Sequence, residues 1–220
     1  MIPNVVIERV DSPGGELVLS RRENQFSIRV AGVELMNSHN HWSEDELGRL
    51  TSKRIAGIAA PRVLIGGLGM GYTLRAALDE LPRDAHVDIV EIVPDVIRWN
   101  RGVLADLAHR PLDDSRVTVI GDDVANVLRS PPARYHAILL DVDNGPDGVY
   151  RANTALYKRA GLHTMHAALT PGGTLAVWSS FESPTFTKWL REVGFEVEVV
   201  TIRAKYKGGP RHYIWFARRP

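Results

Sequence analysis

From residue 61 onward the chain alternates two kinds of hydrophobic pattern. Short β-branched and aliphatic runs mark strands at Arg62 to Ile65, Val87 to Glu91, Val117 to Ile120, Ala137 to Asp141 and Thr174 to Ser179. Between them, apolar positions recur at helical spacing over 72–80, 94–108, 122–129, 153–168 and 184–193. Such alternation requires crossover helices and predicts a mostly parallel sheet covered on both faces. The ending differs: Phe195 to Ile202 and His212 to Ala217 are strand patterns joined through Lys205-Tyr206-Lys207-Gly208-Gly209-Pro210-Arg211, with no helix between them. The pattern therefore predicts an α/β, Rossmann-like domain whose seven-stranded sheet closes on a C-terminal antiparallel hairpin.

The start of the chain is organised otherwise. Val5-Val6-Ile7, Glu16-Leu17-Val18-Leu19, Phe26-Ser27-Ile28-Arg29-Val30 and Val33-Glu34-Leu35-Met36 are short apolar runs separated by turn formers such as Ser12-Pro13-Gly14-Gly15. They predict a small antiparallel β unit over residues 1–42, followed by the main domain over 43–220. Ser43 to Ala60 changes period, with Ser43-x-x-Glu46 available as a capping box and Leu47, Leu50, Ile55 and Ile58 on one helical face.

Composition narrows the class only slightly. The 220 residues, 44% of them hydrophobic, are enough for one sizeable core. The formal charge of +1 calls for neither nucleic acid nor an anionic membrane at the level of the whole chain. With no cysteine, disulfides, thiolate metal sites and a cysteine nucleophile are excluded. No apolar stretch approaches the roughly twenty residues of a membrane span, and a cytoplasmic protein is expected.

Candidate chemistry begins where the first parallel strand breaks into glycines, at Val63-Leu64-Ile65-Gly66-Gly67-Leu68-Gly69-Met70-Gly71. Strand, bare-backbone turn and helix start together bring a ligand against main chain. Gly67, Gly69 and Gly71 form G-x-G-x-G, whereas a dinucleotide fingerprint counted from Gly67 would need its third glycine where Tyr72 stands. That spacing points to S-adenosylmethionine or a close relative, and the closing hairpin likewise fits the fold of transferases using that cofactor. Ligands in open α/β sheets sit beyond the carboxyl ends of the strands. Glu91 ends the second strand about twenty residues past the glycines, where a carboxylate accepts from ribose hydroxyls. Asp122, with Asp123 beside it, ends the third and can accept from an adenine amino group; either can instead cap the next helix. The fourth runs into Asp141-Val142-Asp143-Asn144-Gly145-Pro146-Asp147, the densest polar cluster of the chain. Transfer from a sulfonium needs a neutral nucleophile held in line and a group to take its proton, and a carboxylate at Asp141 can do both.

With these residues in view, the chain resembles the spermidine synthase family of aminopropyltransferases, built on the class I methyltransferase fold behind a small β domain. Ile65 to Gly71 with Leu74-Arg75 is similar to the family's glycine motif, Val90-Glu91-Ile92 to its ribose-binding strand end, and Gly121-Asp122 to its adenine-binding Gly-Asp-Gly. Asp141 to Pro146 is similar to its catalytic Asp-Ser-Ser-Asp-Pro loop, with Leu156-Tyr157 and Leu169-Thr170-Pro171-Gly172-Gly173 following. The resemblance implies a donor site of Gly66, Gly67, Gly69, Gly71, Glu91, Ile92, Asp122, Asp123 and Asp141, with Asp141 and Asp143 catalytic. It further implies a small amine acceptor, S-adenosylmethionine or its decarboxylated form as co-substrate, no metal, and a homodimer; the candidate acceptor contacts are His41 on the segment leading into the first helix, Asn144 in the acidic loop, and Tyr150 and Tyr157, aromatics that follow that loop.

The departures are specific. An aspartate of the family's glycine motif falls among Leu68, Gly69 and Met70, its Tyr-His-Glu segment on Leu47-Gly48-Arg49, its second loop aspartate on Asn144, and the glutamine after the fifth strand on Trp178-Ser179-Ser180. Losing acidic anchors leaves the acceptor open. A methyltransferase on the same scaffold and a nucleoside-binding module without catalysis remain alternatives, and a dehydrogenase is disfavoured by Tyr72. His39 and His41 read as a turn or pocket rim, and the basic segment Arg203 to Arg211 as a solvated hairpin tip rather than a nucleic-acid site.

Overall fold

A computed structural model of the chain describes residues 3–129, 135–142, 145–146, 154–205 and 208–220. Four antiparallel strands come first: β1 (Val5–Ser12), β2 (Gly15–Arg22), β3 (Gln25–Val30) and β4 (Val33–Asn37). They pair in sequence order as a separate four-stranded sheet. Helix α1 (Trp42–Arg54) leads into β5 (Arg62–Gly66), α2 (Tyr72–Glu80), β6 (His86–Val90), α3 (Pro94–Arg101), β7 (Val117–Ile120), α4 (Val124–Arg129) and β8 (Tyr135–Leu140). The short helix α5 (Thr154–Tyr157) is followed by α6 (Arg159–Ala168), β9 (Leu169–Ser179), α7 (Pro184–Val193), β10 (Glu196–Lys205) and β11 (Gly208–Arg218).

The second sheet has seven strands in the order β10-β11-β9-β8-β5-β6-β7. Only β11 runs against its neighbours. The order reverses between β5 and β8, and a crevice at such a switch point is where an α/β sheet binds ligands. Successive residues of β5 face opposite cores, Val63 and Ile65 one, Leu64 the other, which is why the strand reads as an unbroken apolar run. The Val63 core is continuous with Leu17, Leu19, Ile28 and Val30 of the four-stranded sheet and with Leu47, Leu74 and Trp99. The N-terminal sheet is therefore packed onto the main sheet's own core. Glu8 reinforces the join, accepting from Trp99 Nε1 at 2.7 Å and from Arg98 Nη2 at 2.6 Å.

Several boundaries depart from the sequence reading. Helix α1 stops at Arg54 instead of running to Ala60, because Gly57 turns the chain at φ +86°. Its N-cap is His41, and Ser43 and Glu46 form no capping box. The Ser43 hydroxyl meets His212 Nδ1 at 2.9 Å, and the Glu46 carboxylate binds Arg49. The pattern over 94–108 divides at Gly102 into α3 and a 3-10 turn, Ala105–Ala108. That over 153–168 divides at Lys158, the cap of α6, and residue 153 lies outside the described residues. Strand β9 starts at Leu169 because the Pro171-Gly172-Gly173 turn is an excursion within it: Tyr135 pairs with Leu169, but Ala137 pairs with Thr174.

Candidate functional site

The glycine turn is shaped by a close backbone approach at the switch point. Gly67 has φ +91°, and a Cβ there would lie 2.3 Å from the Asp141 carbonyl oxygen. The Asp141 amide donates to the Gly66 carbonyl at 2.9 Å, and the Gly67 amide to the Val90 carbonyl at 2.9 Å. Three strand ends thus meet on one residue without a side chain. Gly67 and Gly69 line a cavity of about 310 Å3. Gly66 packs against Val124 and Leu140 instead, and Gly71, the left-handed cap of α2, against Pro111 and Asn100. Of the four predicted glycines, two face the cavity and two let the walls come together.

Glu91 stands at the end of β6, 8% exposed, on the cavity wall. Its Oε2 accepts from the Leu68 amide at 3.0 Å and its Oε1 from the Val93 amide at 2.9 Å. Burial pushes its pKa up, and the amides of Val93, Leu68, Gly69 and Ile92 oppose that rise. The carboxylate fixes the turn and presents charge to whatever enters. Ile92 beside it is 46% exposed and lines the same cavity, an apolar surface suited to a planar base. Asp122 and Asp123 line it from the end of β7. Asp122 Oδ1 accepts from Asn126 and from the Asp123 amide, which hold its pKa below the ordinary value. Asp123 Oδ1 accepts from the Ala125 amide, so it caps α4 while bordering the cavity.

The roof comes from the N-terminal sheet. Ser12, Pro13 and Gly14 of the first hairpin, with Leu17, Ile28, Val30, Leu35 and Met36, complete the cavity. Sequence reading had found these strands but not their position. Met36 reaches the glycine turn itself, its Sδ 2.9 Å from where a Gly69 Cβ would be. Leu68 and Met70, at 4% and 1% exposure, belong to the core. No acid therefore rises from the turn.

Asp141, at the end of β8, forms the far side. Its Oδ2 accepts from the Thr73 hydroxyl at 2.6 Å. Burial pushes its pKa up to about 6, and the Thr73 bond pulls the other way. Glu44, in the first turn of α1, sits near enough that burial, the charge of Asp141 and then Asp45 raise its own pKa well above the usual carboxylate value. Glu44 is the acid that sequence reading missed. By sequence, the family's Tyr-His-Glu segment falls on Leu47-Gly48-Arg49. Leu47 is fully buried and Gly48 lies against α2, where a Cβ would be 2.4 Å from the Thr73 carbonyl oxygen. Neither position can serve a site, and the side chain facing Asp141 comes one turn earlier.

The remaining candidates separate. His41 is stacked on Tyr72 at 3.8 Å between ring centroids and bonded to Asp45 through Nδ1 at 2.7 Å, outside the cavity wall. Tyr157, 2% exposed, lies edge-on to Phe186, and its hydroxyl donates to the Val142 carbonyl at 3.2 Å, supporting the strand end from behind. Asp143, Asn144 and Tyr150 lie outside the described residues.

A family model for the spermine/spermidine synthase domain matches residues 55–193, well over half of the chain. The chain belongs to that family. Among named relatives, polyamine aminopropyltransferase 2 of Pseudomonas aeruginosa is 32% identical over 126 residues, 52% of this chain and 32% of that protein. Spermine synthase of Arabidopsis thaliana is 31% identical over 166 residues, 73% of this chain and 42% of that protein. The chain thus spans well under half the length of these relatives. Among solved structures, spermidine synthase from Thermotoga maritima superposes with a TM-score of 0.74 at 18% identity, covering 98% of this chain and 73% of that one. A spermidine synthase bound to the transition-state analogue AdoDATO gives 0.73 at 18% identity, covering 98% and 72%. These likenesses establish the fold, a methyltransferase-like sheet behind a small β unit.

Proposed function

We propose that this chain binds decarboxylated S-adenosylmethionine and transfers its aminopropyl group to the amine of a small cationic acceptor of polyamine type. The observation that carries this reading is the charge of the cavity. Its described lining includes Glu91, Asp122, Asp123 and Asp141 and no lysine, arginine or histidine. The decarboxylated donor carries a sulfonium and an ammonium and no carboxylate, so its charge is complementary to these walls. On this reading Glu91 accepts from ribose, Ile92 and Val124 flank the base, and Gly67 and Gly69 let the sulfonium end approach main chain; all five line the cavity. The acceptor's amine forms a bond to the propyl carbon as the carbon–sulfur bond breaks; its electron pair stays on sulfur, and the proton released from nitrogen goes to Asp141. The names of the relatives support this reading.

Methyl transfer from S-adenosylmethionine is the second reading, favoured by one observation: Leu68 and Met70 are core residues, so no acid of the glycine turn selects against the carboxylate-bearing donor. Calorimetry with the two donors, followed by mass spectrometry of a diamine incubated with enzyme and the tighter one, separates the readings. Tighter binding of the decarboxylated donor and an aminopropylated product are expected. Preference for S-adenosylmethionine with a methylated product would replace the first reading with the second.

A further inference from the structure

Thr73 belongs to the helix that follows the glycine turn, is 3% exposed, and is absorbed by no motif of the sequence. Threonines within helices ordinarily bond back to their own helix. Thr51 does so to the Leu47 carbonyl at 2.6 Å, Thr164 to Ala160 at 3.1 Å and Thr187 to Ser183 at 3.1 Å. Thr73 does not. Its Oγ1 lies 2.6 Å from Asp141 Oδ2 and 3.3 Å from the Glu44 carbonyl oxygen, spanning β8 and the first turn of α1. Gly48 makes this possible, because any side chain there would strike the Thr73 carbonyl and hold α1 away from α2.

A hydroxyl has one proton, and the shorter contact, to the carboxylate, takes it. Asp141 Oδ2 is thereby occupied, while Oδ1 makes no hydrogen bond among the described residues. Resting on the transfer reading above, we infer that Thr73 is a positioning residue for Asp141: its hydroxyl fixes Oδ2 and leaves Oδ1 to take the proton of the attacking amine.

The groups around Asp141 make the bond consequential. Glu44 faces it from α1 with Asp45 beyond; Tyr72, held neutral by a pKa of about 12, adjoins them on α2. Glu91, Asp122 and Asp123 border the same cavity from β6 and β7, and His212 on β11, its pKa lowered by burial, stands against Ser43 beside Glu44. No cation among them favours the ionised form of Asp141. The Thr73 hydroxyl is the neutral donor that does.

The test compares full-length wild type with Thr73→Val, Thr73→Ala and Thr73→Ser. Carboxyl carbon NMR of the ligand-free protein, with the Asp141 signal assigned from its absence in Asp141→Asn, follows the titration without any need for turnover. Loss of the hydroxyl is expected to raise the Asp141 midpoint by about one pH unit, and the serine variant to restore it. The acid limb of kcat/KM for aminopropyl transfer should move with it, while donor Kd changes less than about twofold. An unchanged midpoint in folded valine and alanine variants overturns the inference. Absence of aminopropyl transfer in the wild type would instead remove the proposed reaction and leave the titration to decide the Thr73–Asp141 link.

Discussion

Replacing Gly67 by alanine tests whether the site depends on backbone contact at the switch point. At φ +91° any residue with a Cβ carries strain of about 1–2 kcal/mol. The new Cβ would also stand 2.3 Å from the Asp141 carbonyl oxygen, 3.0 Å from its carbon and 3.3 Å from Val142 Cγ1. Carbon contacts relax to about 3.5–4.0 Å, so the ends of β5 and β8 must part by roughly 1 Å. The two nearest atoms are main chain, and no side-chain rotation relieves that part of the clash. Strain and overpacking together should cost about 2–4 kcal/mol, a fall in Tm of roughly 5–15 °C for a chain of this size. The same displacement moves Asp141 against the glycine turn, so donor affinity should fall at least about tenfold and transfer by about a hundredfold. Gly57→Ala is the control: φ is +86°, but nothing lies within 4 Å of its Cβ, which isolates the backbone strain. Differential scanning fluorimetry and calorimetry with the decarboxylated donor read both effects. A Gly67→Ala protein that loses no more Tm than Gly57→Ala, or keeps wild-type donor affinity, would refute the argument.

Asp141→Asn should abolish transfer yet stabilise the protein in alkali. A carboxyl whose folded pKa is raised from 3.8 to about 6 holds its proton longer folded than unfolded, so its contribution to stability is present at low pH and lost as pH rises through about 6. The amide is spared that loss and still accepts from Thr73. Its Tm should exceed wild type at pH 8, by about 2–4 °C for each kcal/mol relieved, and the gain should shrink toward pH 4. A lower Tm than wild type at pH 8 would contradict this. Glu44→Gln removes the carboxyl beside Asp141 while leaving the cavity lining intact, so acceptor KM should rise about tenfold or more with donor Kd within about twofold. Equal KM values would place Glu44 outside the acceptor site.

The parts of the site that were legible in sequence are those where one residue's role follows from its own chemistry and immediate neighbours. Gly67 and Gly69 announce a turn because their backbone, at φ +91° and +53°, lies in the left-handed region that favours glycine. Glu91, Asp122 and Asp141 are read from ending apolar strands, since strand ends of a parallel sheet converge on one edge. Boundaries failed where the deciding partner is distant. Ser43-x-x-Glu46 has the composition of a capping box, but the Ser43 hydroxyl is taken by His212, which lies 169 residues further along the chain. Glu44 and Thr73 carried no local signal at all. A glutamate in a first helical turn is ordinary helix chemistry, and a threonine there is neutral; both acquire meaning only because Gly48 lets α1 and α2 touch.

The departures within the glycine turn also take on a physical sense once the roof is in place. Side chains at Leu68 and Met70 point into a core that the four-stranded sheet shares, and an ionised carboxylate at either would be buried without a partner. Gly69, which borders the cavity together with Gly67, lies under the Met36 thioether, the end of a flexible side chain that a longer residue would push aside. An acid there would therefore meet the Met36 side chain of β4. A turn bearing an acid at position 69 would need the Met36 side chain to move aside. The turn itself carries no acid; carboxyl groups gather instead at the junction of α1 and β8, where Glu44 stands beside Asp141 and burial raises the pKa of both.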